Sequence, residues 1–365
     1  MNALWGGVLD TDDSHEDDTA ELRQLVDSLG RRSFDSRLGR RAVPEEFDAP
    51  LWRDLEDTGL TRLTSTADLG AGPVESAVLL YGLARHAAAI PIAETDMLAA
   101  WLGSQAGIEL PDGPLTVAIG QADTATGRVS GTAPDVPWTS TSTTVLVAAN
   151  GRDGLHVGIL DLENATIHEG HNLAGEPRDT ITFDVSAGDL RVLDPSLATE
   201  LQRRGAWARC VQIIGALDAA AALTVNHTRN RVQFGRSLSA FQSVQHSLAV
   251  MAGDIERARA ATTLAISAAA DHGFASPQTD YAVAVAKVVT GKVVDTATTI
   301  AHQLHGAIGV TAEHPLWLAT LRAQSWVHDY GSTALYARRL GRLVLASGDP
   351  WDVLVGEMTS QEETG

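Results

Sequence analysis

Hydrophobic spacing changes twice along the chain. Gly72-Pro73 puts a proline at a first helical position, and Val74, Val78 and Tyr81 then recur at i, i+4 and i+7. A second helix is predicted past Pro91, through Met97, Ala100 and Trp101. From Leu115 to Val192 the spacing becomes that of strands: LTVAIG, TTVLVAA, LHVGIL, ATIHEG and TITFDV, separated by turn signals such as Asn150-Gly151 and Asp153-Gly154. The alternation of Val145 with Val147, and of Leu155, Val157 and Ile159, predicts one buried face per strand. Strands at this spacing without helices between them predict an antiparallel, barrel-like or small sandwich domain.

After Asp194-Pro195 helical spacing returns and persists. One long helix carries Val211, Ile214, Asp218 and Ala221 to Val225, and a second carries Val244, Leu248, Met251 and Ile255. Ser276-Pro277 is an N-cap and first-turn pair for a third, with Val289, Val293, Ile300 and Leu304 on its stripe. Two more are expected between Pro315 and Leu345, stopped by Gly348-Asp349-Pro350. Many alanines allow close axis-to-axis packing, so a C-terminal four-helix bundle is predicted. The expected fold is therefore multidomain α+β: an N-terminal helical domain (1–110), a middle β domain (111–194) and a helical bundle (195–365).

Composition narrows the functional classes. The 365 residues include 27 Lys+Arg against 46 Asp+Glu, a formal charge of −19, which repels polyphosphates and argues against nucleic-acid binding. Early acidic residues (Asp10, Asp12, Asp13, Glu16, Asp17, Asp18, Glu21) lack EF-hand spacing and read as a solvated leader into a helix. The single cysteine, Cys210, excludes an intrachain disulfide and a Cys-cluster zinc site; no metal site is expected. The N-terminal residues lack a signal-peptide pattern, and the run Cys210 to Val225 reads as too short and too charged to span a bilayer. A soluble, cytoplasmic protein is expected.

Two strings in the bundle stand out. Arg231-Val-Gln-Phe234-Gly235-Arg236 is followed by Phe241-Gln242, and Gln303-Leu-His-Gly306-Ala-Ile-Gly309 by Glu313-His314-Pro315. Guanidinium donors suit the paired oxygens of a pyrophosphate, so Arg231 is a candidate phosphate contact. Phe234 offers an apolar ring face, Gln242 an amide, and Gly306 and Gly309 a turn that a ligand can approach closely. The same residues also read as a helix-end cation and a C-cap turn. In order and separation the strings resemble the acyl-CoA dehydrogenase family, whose bundle reads RxxFGxxxxxxQ and later QxxGGxGxxxExP; the likeness spans essentially the whole chain. It implies bound FAD, contacted by Arg231, Phe234, Gln242, Gln303, Gly306 and Gly309 across a dimer interface. In the β domain it implies Trp138 and Thr139 against the flavin ring, and Ser332 and Thr333 as further flavin or interface contacts. The family's loop after its first strand looks shortened, because LTVAIG runs at once into QADTATG.

The resemblance also implies α,β-desaturation of an acyl-CoA thioester, in which the α proton goes to a carboxylate and the β hydride to N5 of the flavin. The family's usual Glu falls here on Tyr330 or Gly331, counted from Gln303 or Arg322. Its alternative position on the first bundle helix falls on Gly205. Glu200, five residues earlier, lies about 140° around the helix. Asp329 is the one local carboxylate, as a base or as an ion-pair partner of His328 or a nearby Arg.

These readings together give the expectation of a non-catalytic subunit in a dimeric or tetrameric flavoprotein of lipid metabolism. A homologous partner subunit would supply the Glu. The alternatives are a self-sufficient dehydrogenase using Asp329, and a redox-inert structural or CoA-ester-binding module.

Overall fold

The computed structural model describes residues 16–39, 42–66, 69–125, 127–349, 351 and 353, so Asp10, Asp12 and Asp13 lie outside the described residues. Three helices, α1 (Glu16–Arg37), α2 (Ala49–Asp57) and α3 (Pro73–Arg85), come first. Asp48 caps α2 by accepting the Leu51 N–H at 3.0 Å. Pro73 opens α3 as expected, with the Glu75 carboxylate accepting the Gly72 N–H.

The predicted helix past Pro91 is π-helical over Ala93–Ala100 before continuing as α4 (Trp101–Ala106). All eight π-helical residues are buried, including two carboxylates. Asp96 accepts from the backbone and hydroxyls of Thr64 and Ser65, and Glu94 from Arg209.

The sheet corrects the antiparallel barrel expectation. Seven strands, β1 (Leu115–Ala125), β2 (Arg128–Pro137), β3 (Thr144–Asn150), β4 (Leu155–Ile159), β5 (Thr166–His168), β6 (Arg178–Ser186) and β7 (Arg191–Leu193), lie in the order β5-β6-β2-β1-β3-β4-β7. The sheet is mixed: β1 and β3 run parallel, from Leu115↔Thr144 to Gln121↔Asn150. It ends in two edges, β5 and β7.

Strand β2 escaped the hydrophobic pattern because Gly131, Pro134 and Asp135 interrupt it. It is nevertheless central, paired on both sides, and its register with β6 shifts between Ala133 and Val136. Pro134 has no N–H for the ladder, and Asp135 takes a positive φ of 54°, so the irregularity sits where backbone chemistry demands it.

Five bundle helices follow: α5 (Ser196–Asn230), α6 (Gln242–His272), α7 (Pro277–His305), α8 (Leu316–Trp326) and α9 (Thr333–Ala346). Between α5 and α6 lies a two-residue-strand hairpin, β8 (Val232–Gln233) and β9 (Arg236–Ser237). Ser276 caps α7 as the sequence suggested.

Helix α5 corrects the length estimate. At 35 residues it is the one described helix long and apolar enough to cross a membrane, yet 72% of its apolar window is buried within the fold. Asp218 inside it is paired by Tyr81 and Arg259, at 2.6 and 2.7 Å, as a core charge must be. One hydrophobic core joins the N-terminal helices, one sheet face (Val117, Leu146, Val157) and the bundle. The other sheet face (Val129, Val145, Val147, Phe183) packs a separate cluster.

Candidate functional site

Two regions collect the residues singled out by the sequence. The first is one end of the bundle. The C-terminal turns of α5 and α7 meet there, since His227 stacks on His305 with ring centroids 4.5 Å apart. Each of the two strings begins at one of these helix ends.

Arg231 is the C-cap residue of α5, exposed, and its guanidinium makes no hydrogen bond or ion pair with the described residues. Phe234, at the hairpin tip with φ of 52°, is 88% exposed, its ring T-shaped to that of Phe241. Gln242 and Gln303 are exposed on the same end. Gly306 caps α7 at φ 63°, with nothing within 4 Å of where a Cβ would stand. Gly309 is buried, and a Cβ there would meet the Cβ of His305 at 2.8 Å.

The second region is the seam between the sheet and the bundle, a cleft of 770 Å³. Val117, Ile119 and Pro134 line one side, and Gln202, Ser325 and residues 328–331 the other. Trp138 and Thr139 do not reach it. Trp138 is 2% exposed, at φ 56°, with its ring edge against Phe47. Thr139 is equally buried. The shortened loop is visible as its absence from the β1–β2 connection: β1 runs through to Ala125 and pairs directly with Arg128.

At the head of the cleft the two family base positions face each other. The Tyr330 ring lies over Gly205, where an added Cβ would come within 2.6 Å of its Cε1. Tyr330 sits at φ 54°, uncommon for a bulky residue, followed by Gly331 at φ 107°. Surrounding contacts hold that conformation. The Tyr336 hydroxyl donates to the Tyr330 carbonyl at 3.0 Å, and the buried Lys287 ammonium donates to the carbonyls of Val327 and Asp329 at 2.9 and 2.8 Å. Burial, with Glu94 nearby, raises the Tyr330 phenol, so it stays protonated.

Lys287 therefore fixes the chain leaving α8. Lys287→Met is expected to leave two carbonyls without their charged donor and to cost about 1.5–3 kcal/mol. Urea denaturation monitored by circular dichroism reads this directly; an unchanged midpoint excludes the role.

Asp329, the candidate base, belongs to a buried ionic chain. Its Oδ2 accepts from Arg209 Nε at 2.8 Å and from Arg178 Nη2 at 3.2 Å. Carboxylates and guanidiniums alternate onward: Arg209 with Glu94 at 2.5 Å, Arg178 with Glu176 at 3.2 Å, Arg322 with Glu176 at 3.6 Å and with Glu45 at 2.5 Å. Burial pushes the Asp329 carboxyl up, but Arg178 and Arg209 outweigh it and hold it below the ordinary 3.8. A carboxylate so stabilised is a weak proton acceptor, and both its cationic partners would have to be displaced by a substrate. His328 is not its partner. The geometry of Asp329 is that of a buried ion-pair member.

The other residues singled out near the seam also make contacts within the chain. Ser332 is the N-cap of α9, accepting the Leu335 N–H, and Thr333 packs against Gly291. Glu200 turns to Arg204 at 2.9 Å. Sequence reasoning missed Glu94, Glu176, Arg178 and Arg209. The available signal was a charge set in an apolar run, as with Glu94 in AAAIPIAETDML and Arg209 beside Cys210-Val211, which folding tolerates only when the charge is paired.

Comparison with known proteins agrees with this architecture. Residues 197–341 match the family model "Acyl-CoA dehydrogenase, C-terminal domain". Acyl-CoA dehydrogenase FadE27 of Mycobacterium tuberculosis is 27% identical, over 92% of this chain and 95% of its own length. Residues 197–341 thus form the C-terminal domain of an acyl-CoA dehydrogenase, and the chain is similar along most of its length to a member of that family. Among solved family structures, a chain of the ChsE4-ChsE5 complex from M. tuberculosis superposes with a TM-score of 0.80 at 25% identity, over 92% of this chain and 98% of that one. A variant of the Tcur3481-Tcur3483 steroid ACAD superposes with a TM-score of 0.79 at 26% identity, over 91% and 98%. Both of these structures carry paired names, ChsE4-ChsE5 and Tcur3481-Tcur3483.

Proposed function

We propose that this chain is the subunit of a heteromeric, flavin-dependent acyl-CoA dehydrogenase that does not carry out proton abstraction. In this reading it lends contacts to FAD held mainly by a homologous partner, which supplies the Glu. One observation carries the proposal: both positions where the family places its base are filled against each other, Gly205 beneath the Tyr330 ring, and the adjacent carboxylate, Asp329, is locked between two arginines.

The fit to the cofactor is one-sided in the same sense. The bundle end presents unengaged Arg231, Gln242 and Gln303 around the open Gly306, a set suited to a pyrophosphate and its adenosine. Trp138 is buried away from the seam, against Phe47, and the β1–β2 connection expected to meet the flavin ring is short. When bound, the flavin accepts the hydride from the thioester's β carbon. This chain's residues position its distal half, and Tyr330 closes the space over Gly205. The steroid ACAD named among the structural neighbours favours a bulky, ring-bearing acyl group on the CoA ester. The proposal places the complex in the cytoplasm as a dimer or tetramer.

The test is purification alone and together with a homologous partner subunit. Alone, the chain is expected not to reduce flavin with any acyl-CoA. In the complex, Arg231→Ala or Gln303→Ala should weaken FAD retention roughly tenfold, the order expected on losing a charge-assisted hydrogen bond. A yellow homo-oligomer whose flavin is bleached by acyl-CoA overturns the proposal.

A further inference from the structure

Three histidines that no part of the dehydrogenation requires converge where α5, α7 and the turn before α8 meet. His227 lies in the last turn of α5, His305 ends α7, and His314 precedes α8. One ligating nitrogen from each lies within 4.8 Å of the others. The rings of His305 and His314 are 4.7 Å apart between centroids, and those of His227 and His314 6.4 Å. Sequence separations of 78 and 9 residues (227 to 305, 305 to 314) hide this grouping from any local motif.

Hydrogen bonding around His305 leaves a ring nitrogen open to a cation. His305 is 5% exposed, and its Nδ1–H donates to the Ala301 carbonyl at 2.7 Å. That bond fixes the tautomer and leaves a lone pair on Nε2. Nε2 is buried and makes no hydrogen bond of normal geometry, although the Leu223 carbonyl lies near enough to favour a positive charge there. An imidazole whose other nitrogen is held by a carbonyl is the usual arrangement of a metal-bound histidine. Burial lowers the pKa of all three rings. His305 further lowers His227 and His314 by charge repulsion, and Arg231 adds to the effect on His227. Neutral rings with available lone pairs are what a metal ion needs.

We propose that His227, His305 and His314 form a binding site for a transition-metal dication of the zinc class. All-nitrogen donors select zinc, cobalt, nickel or copper over magnesium and calcium, which require oxygen ligands. His305 contributes Nε2. His314 must exchange a weak bond to bind, because its Nδ1 now accepts the Leu316 N–H at 3.2 Å. Three protein ligands leave a fourth position for water or an outside donor. The site depends on this chain's geometry alone and not on the proposed role in flavin binding.

The test uses the untagged full-length chain, stripped with EDTA and titrated with Co²⁺. One equivalent is expected to bind with the visible absorption of a low-coordinate nitrogen site, to be displaced by Zn²⁺ and not by Mg²⁺. His314→Gln, on a half-buried turn, and His227→Gln should each weaken binding by roughly tenfold or more. His246→Gln, an exposed control on α6, should not change it, with unaltered circular dichroism throughout. Absence of the absorption band, or equal Co²⁺ affinity in a folded His314→Gln protein, overturns the proposal.

Discussion

Asp329→Asn is expected to destabilise the protein by about 3–5 kcal/mol, the range found when one member of a buried ion pair is removed and the other charges remain. Asn keeps the shape of the side chain, so the loss isolates charge. Arg178 and Arg209 would still have Glu176 and Glu94, but the shared anion between them would be gone. The side chain of Asp329 is 17% exposed, too little for water to replace the missing carboxylate fully. Chemical denaturation should show a lower midpoint with an unchanged slope. A free base on an open cleft gives the opposite result, a change within about 0.5 kcal/mol.

Acid should reveal the same interactions. The Asp329 and Glu176 carboxyls both lie below their ordinary values of 3.8 and 4.5, because neighbouring guanidiniums outweigh the burial that would raise them. For a lowered carboxyl, the stability is present above the unfolded-state pKa and disappears as pH falls through the folded value. Wild-type stability should therefore drop steeply below about pH 4, and Asp329→Asn should have a shallower acid slope. Glu45 acts in the opposite sense: burial, its largest influence, raises it despite Arg322.

Much of the fold was legible in the sequence, and the reason is local. Gly72-Pro73 and Ser276-Pro277 state helix starts by their own backbone chemistry, and both start helices here. The apolar runs of β3 and β4 mark strands, but the expectation of one buried face is corrected: each sheet face meets a different core, and Ile159 is exposed. What stayed hidden is set by distant partners. The parallel pairing of β1 with β3 leaves no trace in either strand's pattern, and β2 reads as loop because its pairing is imposed from both sides. The π-helical turn carrying Glu94 depends on Arg209, 115 residues away. The site divides the same way. The two strings at the bundle end were readable as strings, whereas the meaning of Asp329 depends on Arg178, and burial of Trp138 on Phe47.

Placing a carboxylate at position 205 should fail for a steric reason that a second substitution relieves. Gly205→Glu is expected to cost about 3 kcal/mol or more, at the upper end of core overpacking, because its Cβ would enter the space of the Tyr330 ring. Tyr330→Gly removes that ring and relaxes a positive φ that Gly adopts freely. In that background the Gly205→Glu penalty should shrink by about 2 kcal/mol, a coupling readable by a double-mutant cycle. If Gly205→Glu is equally costly with and without Tyr330, the ring swings clear and does not close the site. Neither variant should gain acyl-CoA oxidation in the isolated chain. On the proposed reading, the short β1–β2 connection and the buried Trp138 leave a new carboxylate without flavin ring contacts from this chain.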